Sequence, residues 1–226
     1  MRKYVVIVGG GKGERMKAQI PKQFLLLYDK PLIVHTIEAF KKYDPYLSFV
    51  IVLPQLDLEY WKQELFKYIQ NKNIEITAGG DERFYSVNNG LACIKEEDAI
   101  VAIHDSVRPL VSLKTIDQCF KVADENGSAV PVIEVNESVR MINNGESETI
   151  DRYRLRLIQT PQVFHAGKLK EAYNKGYSSR FTDDAGVFEC AGNKIYLVEG
   201  NRENIKITTP EDMEVAKVFF KFLKKD

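Results

Sequence analysis

A chain of 226 residues that is 44% hydrophobic and 28% charged can bury a sizeable core, so residues 1–226 read as a single globular domain. Its 32 basic and 32 acidic side chains cancel, which argues against a nucleic-acid partner held by bulk charge. Cys93, Cys119 and Cys190 lie too far apart for a CxxC zinc site or a disulfide framework. The apolar run near the N-terminus, YVVIV, is too short for a signal-peptide core or a membrane span, so a soluble cytoplasmic protein is expected, with no membrane partner.

In chain order, β-branched runs at 4–8 (YVVIV), 48–53 (SFVIVL), 74–77 (IEIT), 99–104 (AIVAIH) and 128–133 (SAVPVI) alternate with longer amphipathic stretches. That rhythm predicts βαβ units and an α/β fold with a mostly parallel twisted sheet flanked by helices. Pro31 suits the first turn of a helix that repeats apolar residues at Leu32, Ile33, Ile37 and Phe40. A second helix over 83–94 places Phe84, Val87, Leu91 and Ile94 on one face, which leaves Gly79, Gly80 and Asp81 between a strand and a helix. From about 134 to 153 the sequence turns polar, and NNG flanked by alternating residues reads as a hairpin turn in a projecting β-arm. Such an arm needs cover, and a second copy of the chain supplies it, so a homodimer built on the arm is expected. The last helix starts with Thr209 as N-cap and Pro210 at its first position.

The loop GGGKGERM at 9–16 follows the first strand directly. It is not a Walker A sequence, because Lys12 precedes Gly13 rather than Ser or Thr, and it fails GxGxxG from either Gly9 or Gly11, which disfavours a nicotinamide-binding oxidoreductase. Its glycines still let backbone N–H groups approach an anion, and Arg15 and Lys22 add the two permanent charges that suit a polyphosphate.

Other candidates fall at strand ends, where open α/β sheets gather ligands. In HDSVRP, Asp105 can bind a hard cation such as Mg²⁺ and Arg108 can hold phosphate; equally, the two can pair to organise the loop before Pro109. AGGDER offers small residues against which a flat base could lie, with Asp81 or backbone groups to read its edge. Lys206 precedes the last helix, Thr182 reads as a helix cap and Arg152 adjoins the arm; each by itself is an ordinary surface residue. His104, closing a buried strand, reads as a hydrogen-bonded structural group, and His35 and His165 carry no partner pattern.

Taken together, GGGKGERM…PKQF, AGGDERFYSV, HDSVRP, IDRY, QTPQVF, TDDAG and VEGNRENIKITTPEDM, in that order from residue 4 to about 220, resemble the 2-C-methyl-D-erythritol 4-phosphate cytidylyltransferase family. The resemblance implies a Rossmann-like nucleotidyltransferase fold, Mg²⁺ dependence, CTP and a sugar-alcohol phosphate as substrates, and a homodimer whose arms complete each other's sites. It implies that Gly9, Gly10, Gly11, Gly13 and Arg15 wrap the triphosphate and that Lys22 holds the α-phosphate. Gly80, Asp81 and Ser86 would recognise cytosine, and Asp105 the metal. Arg108, Ser138, Arg152 and Thr182 would surround the acceptor phosphate, Ser138 and Arg152 from across the dimer, while Lys206 faces Lys22 over the reacting phosphate.

The sequence departs from the family pattern at Gly9 and Gly10, where alanines are usual, at Ser138, commonly threonine, and at Asp184 and Gly186, commonly glutamate and serine. The implied chemistry needs cations and a metal but no general base, because the attacking phosphate is already anionic. Two other readings share much of this pattern: a ribitol 5-phosphate cytidylyltransferase, which TIDRY and FTDDA fit less well, and a module that binds CTP without turning it over.

Overall fold

The structure, a computed structural model, describes residues 1–11, 16, 20–70 and 73–223. From the N-terminus it runs through β1 (Arg2–Val8), a short hairpin of β2 (Leu26–Leu27) and β3 (Lys30–Pro31), α1 (Leu32–Tyr43), β4 (Ser48–Leu53), α2 (Leu58–Phe66), β5 (Ile74–Ala78) and α3 (Arg83–Ala92). Then follow β6 (Ala99–Asp105), α4 (Leu113–Asn126), β7 (Ser128–Glu134), the arm strands β8 (Val139–Asn143) and β9 (Glu146–Ile150), β10 (Arg156–Ile158) and β11 (Gln162–His165). The chain continues with α5 (Ala166–Tyr173), α6 (Asp184–Cys190), β12 (Leu197–Glu199) and α7 (Pro210–Leu223).

The main sheet has the order β10-β7-β11-β6-β1-β4-β5, with β12 added to β7. β6, β1, β4 and β5 run parallel, as the β-branched runs predict, with β5 the half-exposed edge strand, whereas β11 lies antiparallel between β6 and β7. Alternate residues of β1 and β4 feed two cores. Val5, Ile7, Phe49 and Ile51 pack with α1 and α4 through Ile33, Phe40 and Phe120, while Val6, Val50 and Val52 pack with α3, α5 and α6 through Phe84, Tyr173 and Phe188. A smaller cluster of Leu27, Leu32, Val107, Ile207 and Met213 seats α7.

Two local expectations need correction. Pro31 lies before α1 rather than in its first turn, at φ −57° and ψ 147°, because it pairs with Leu26 in the small hairpin. Thr182 does not cap α6; Asp183 does, its carboxylate accepting from the Gly186 N–H at 2.9 Å, because the cap must sit one residue before Asp184. At the last helix the expectation holds. Thr209 Oγ1 accepts from the Asp212 N–H at 3.3 Å and Asp212 returns the bond to the Thr209 N–H at 2.9 Å, a reciprocal capping box.

The arm leaves the body as a two-stranded ribbon, paired from Val139–Ile150 to Asn143–Glu146. Asn144 and Gly145 both have positive φ, 49° and 86°, which is the two-residue turn that NNG predicts. Among the described residues no helix is long and apolar enough to cross a membrane.

Candidate active site

The register of the sheet puts the site together. Val8 pairs with Val52 on one side and with Asp105 on the other, so the loop leaving β1 emerges beside the carboxyl ends of β4 and β6. The Gly9 N–H donates to Val52 O at 2.8 Å, and the Gln23 amide of the PKQF turn donates to Gly9 O. Gly10 then passes Gly79 so closely that a Cβ on it would lie 3.0 Å from Gly79 Cα and 2.9 Å from Ser86 Oγ. Glycine at this departure from the family pattern thus lets the first loop and the AGGDER loop touch.

One cleft gathers Gly9, Gly11, Lys22, Gly80, Asp81, Ser86, Asp105 and Lys206, all singled out in the sequence. The Gly80 N–H donates to Ser86 Oγ at 3.1 Å, and the close packing of Tyr85 leaves no room for a side chain at Gly80, whose Cβ would lie 2.5 Å from Tyr85 Cβ. The buried Ser86 hydroxyl therefore shapes the loop as well as lining the cleft. Gly13 and Arg15 lie outside the described residues.

At the floor, Asp105 meets three cations. Its Oδ2 lies 3.1 Å from Arg108 Nε and 3.2 Å from Lys206 Nζ, and its Oδ1 3.6 Å from Arg83 Nε. Burial pushes the carboxyl pKa up, but Lys206, Arg83 and Arg108 outweigh it and hold the group well below the usual carboxylate range. Asp105 is thus a buried anion. The Asp–Arg pairing weighed from the sequence forms, and Arg108 also donates through Nη1 to Asn204 O at 2.7 Å.

A second pocket adjoins the first and shares Arg83, Asp105 and Lys206 with it; Arg108, Thr160, Gln162 and Thr182 complete its wall. Arg108 and Thr182 therefore share this pocket with Lys206. Ser138 and Arg152 do not line either pocket of the same chain. Ser138 is exposed at the arm's base, and Arg152 donates to the Asn136 carbonyl and stacks over Tyr153 at 5.4 Å.

His104 is structural in geometry. Its Nε2–H donates to Arg108 O at 3.1 Å, and its Nδ1 accepts from Thr160 Oγ1 at 3.0 Å, the same hydroxyl oxygen that takes the Asp105 N–H at 3.1 Å. Burial pushes the imidazole down to about 4, so it stays neutral and locks the strand end. Sequence reasoning missed Arg83, whose fork grips both oxygens of the fully buried Asp184 at 2.8 and 2.7 Å. Both residues lie inside quoted motifs, AGGDER and TDDAG, but nothing in either pattern announces a partner 101 positions away.

Among the described residues no three metal-ligating side chains of His, Cys, Asp or Glu cluster. Asp105 can still serve as a single ligand, since its Oδ1 faces Arg83 at 3.6 Å, longer than a hydrogen bond. One carboxylate with phosphate oxygens and water is how Mg²⁺ is commonly held.

The family model for IspD, 2-C-methyl-D-erythritol 4-phosphate cytidylyltransferase, matches residues 3–221. This chain belongs to that family. A 2-C-methyl-D-erythritol 4-phosphate cytidylyltransferase from Phocaeicola vulgatus is 47% identical to it over 218 residues, covering 96% of this chain and 99% of the relative. The Bacteroides thetaiotaomicron protein of the same name is 44% identical over 216 residues, covering 96% and 98%. The crystal structure of the cytidylyltransferase from Francisella tularensis superposes with a TM-score of 0.82 at 29% identity, over 97% of this chain and 100% of that one. Membership in the cytidylyltransferase family confirms the α/β nucleotidyltransferase fold expected from the motifs.

Proposed function

We propose that the chain transfers CMP from CTP to 2-C-methyl-D-erythritol 4-phosphate, giving 4-diphosphocytidyl-2-C-methyl-D-erythritol and pyrophosphate. The observation that carries this reading is the pair of adjoining pockets with Lys206 and Asp105 on their common wall. A transferase joining two phosphates needs two anion sites that meet at one cation. An oxygen of the acceptor phosphate attacks the α-phosphorus of CTP, the bond from that phosphorus to the β-phosphate bridging oxygen breaks, and pyrophosphate leaves with the electron pair. No proton has to be removed from the nucleophile, so no general base is required.

In this reading Gly9, Gly10, Gly11 and Gly13 offer backbone N–H groups to the triphosphate, with Arg15 and Lys22 as counter-charges. Gly80, Asp81 and Ser86 form the cytosine side. Lys206 meets the reacting phosphate from the floor, and Arg108 and Thr182 hold the acceptor. Lys22 and Lys206 neutralise charge that grows on the α-phosphate and the leaving group, in a cleft where fixed charges need no reorganisation. Mg²⁺, with Asp105 as its protein ligand, would screen the triphosphate and act as a Lewis acid.

Residues 1–226 are read as one cytoplasmic nucleotidyltransferase domain that dimerises through the arm at about 134–153. Exposed apolar residues around the arm, Ile142 at 70%, Tyr153 at 77% and Leu157 at 50%, support burial against a second copy. Ser138 and Arg152 then complete the partner's acceptor pocket rather than their own.

The test is pyrophosphate release from CTP and Mg²⁺ with methylerythritol 4-phosphate, beside ribitol 5-phosphate and a blank without acceptor. Release with the first acceptor alone is expected. Release with ribitol 5-phosphate alone would replace the acceptor, and release with neither would leave a CTP-binding module.

A further inference from the structure

The motifs give no role to Arg83, yet its guanidinium lines both pockets. We infer that Arg83, clamped by Asp184, is a positioning residue for the transfer: it orients the Asp105 carboxylate so that Lys206 is presented to the reacting phosphate.

Both terminal nitrogens of Arg83 are spent on Asp184, at 2.8 and 2.7 Å, and the Tyr173 hydroxyl donates to the same carboxylate at 2.6 Å. Asp184 is completely buried, so the fork has one orientation. What remains of the guanidinium is its Nε edge, which faces Asp105 Oδ1 at 3.6 Å. The other oxygen, Oδ2, is thereby turned to Lys206 Nζ at 3.2 Å and Arg108 Nε at 3.1 Å. A chain of three charged contacts thus runs from α6 through α3 to the strand end and out to Lys206.

The clamp also sets the charge balance. Asp184 neutralises Arg83, so Arg83 holds Asp105 without capturing it. Freed of Asp184, the guanidinium would close on Asp105, the nearest anion in a site of low dielectric, and displace the ammonium group of Lys206. Lys206 is the more exposed of these cations and has the longer, more flexible stem.

The inference rests on the transfer reading, and the experiment separates the two. Turnover of the parent chain tests the reading, while the variants Asp184→Asn, Asp184→Glu and Arg83→Lys test the inference. Asp184→Asn and Arg83→Lys should lower kcat on the order of 10- to 100-fold, the scale of a misplacement near 1 Å, with KM for both substrates within about threefold. Asp184→Glu, which restores the carboxylate, should recover most of kcat. Arg83→Lys keeps the buried charge balance, so it reads the loss of the fork even where Asp184→Asn fails to fold. A lowered Tm with kcat unchanged in the folded variants would make the clamp merely structural and overturn the inference. A crystal structure of either folded variant reads placement without turnover: Lys206 withdrawn from Asp105 supports the inference, and an unmoved Lys206 overturns it.

Discussion

Lys206 lies one salt bridge from a buried carboxylate and on the wall of two pockets, so its charge is held where phosphate would arrive. Lys206→Ala and Lys22→Ala should each lower kcat by about 10²- to 10³-fold, the cost of removing one preorganised donor from a developing anion, with smaller changes in KM. Steady-state kinetics on CTP and the acceptor check this. Two buried histidines, His35 and His104, shape the response to acid. Burial pushes the His35 pKa below the ordinary imidazole value, although its Nε2–H finds Leu27 O at 2.8 Å. The unfolded chain then binds more protons below about pH 6.5, so this contribution is complete above that value and fades as the pH falls through the folded-state pKa. His104 adds to the same slope. Tm measured from pH 7.5 down to 5 should fall, and His35→Gln, which keeps a donor for Leu27, should flatten part of the fall. Asp105 was legible because it closes an apolar strand in the run HDSVRP, and Lys206 only through its place in the distinctive run NIKITTPED, between β12 and α7. Arg83 was not, since an arginine at the start of a helix looks the same in sequence whether solvent or a buried Asp184 receives it.

At the scale of elements, the cap of α7 is coupled to the site by proximity in the chain: Lys206 stands three residues before Thr209. Asp212 accepts from the N–H groups of Thr208 and Thr209 and from the Thr208 hydroxyl, at 2.8 to 2.9 Å. Asp212→Ala removes all three and should cost about 1 kcal/mol, which for a domain of this size lowers Tm by about 2–4 °C. Scanning calorimetry would show it. The five long strands were legible to within a residue or two at either end because each is an apolar run with clear borders. β10, β11 and β12, of three or four residues, were not, for so few positions show no period, and the antiparallel insertion of β11 depends on pairing that no local pattern encodes. Pro31 misled for a related reason: proline suits both a first helical turn and an edge strand, and the contact with Leu26 decided.

For the whole molecule, the proposed dimer makes the arm the element to remove. A protein lacking residues 136–150 should sediment as a monomer and lose acceptor affinity while still binding CTP, because the nucleotide cleft draws on no arm residue. A fully active monomer would remove the arm from the site. The pairing of Val8 with Asp105 carries a further consequence, for how the protein is made. The strand that feeds the glycine loop is a central one, and the site around it is completed by residues near 105 and again near 206, each roughly 100 positions later in the chain. At about 5–20 residues per second, each of those intervals lasts roughly 5–20 s. A nascent chain therefore carries its glycine loop long before it has Asp105, and longer still before it has Lys206 to pair with it, so the cleft is assembled only after residue 206 has been added.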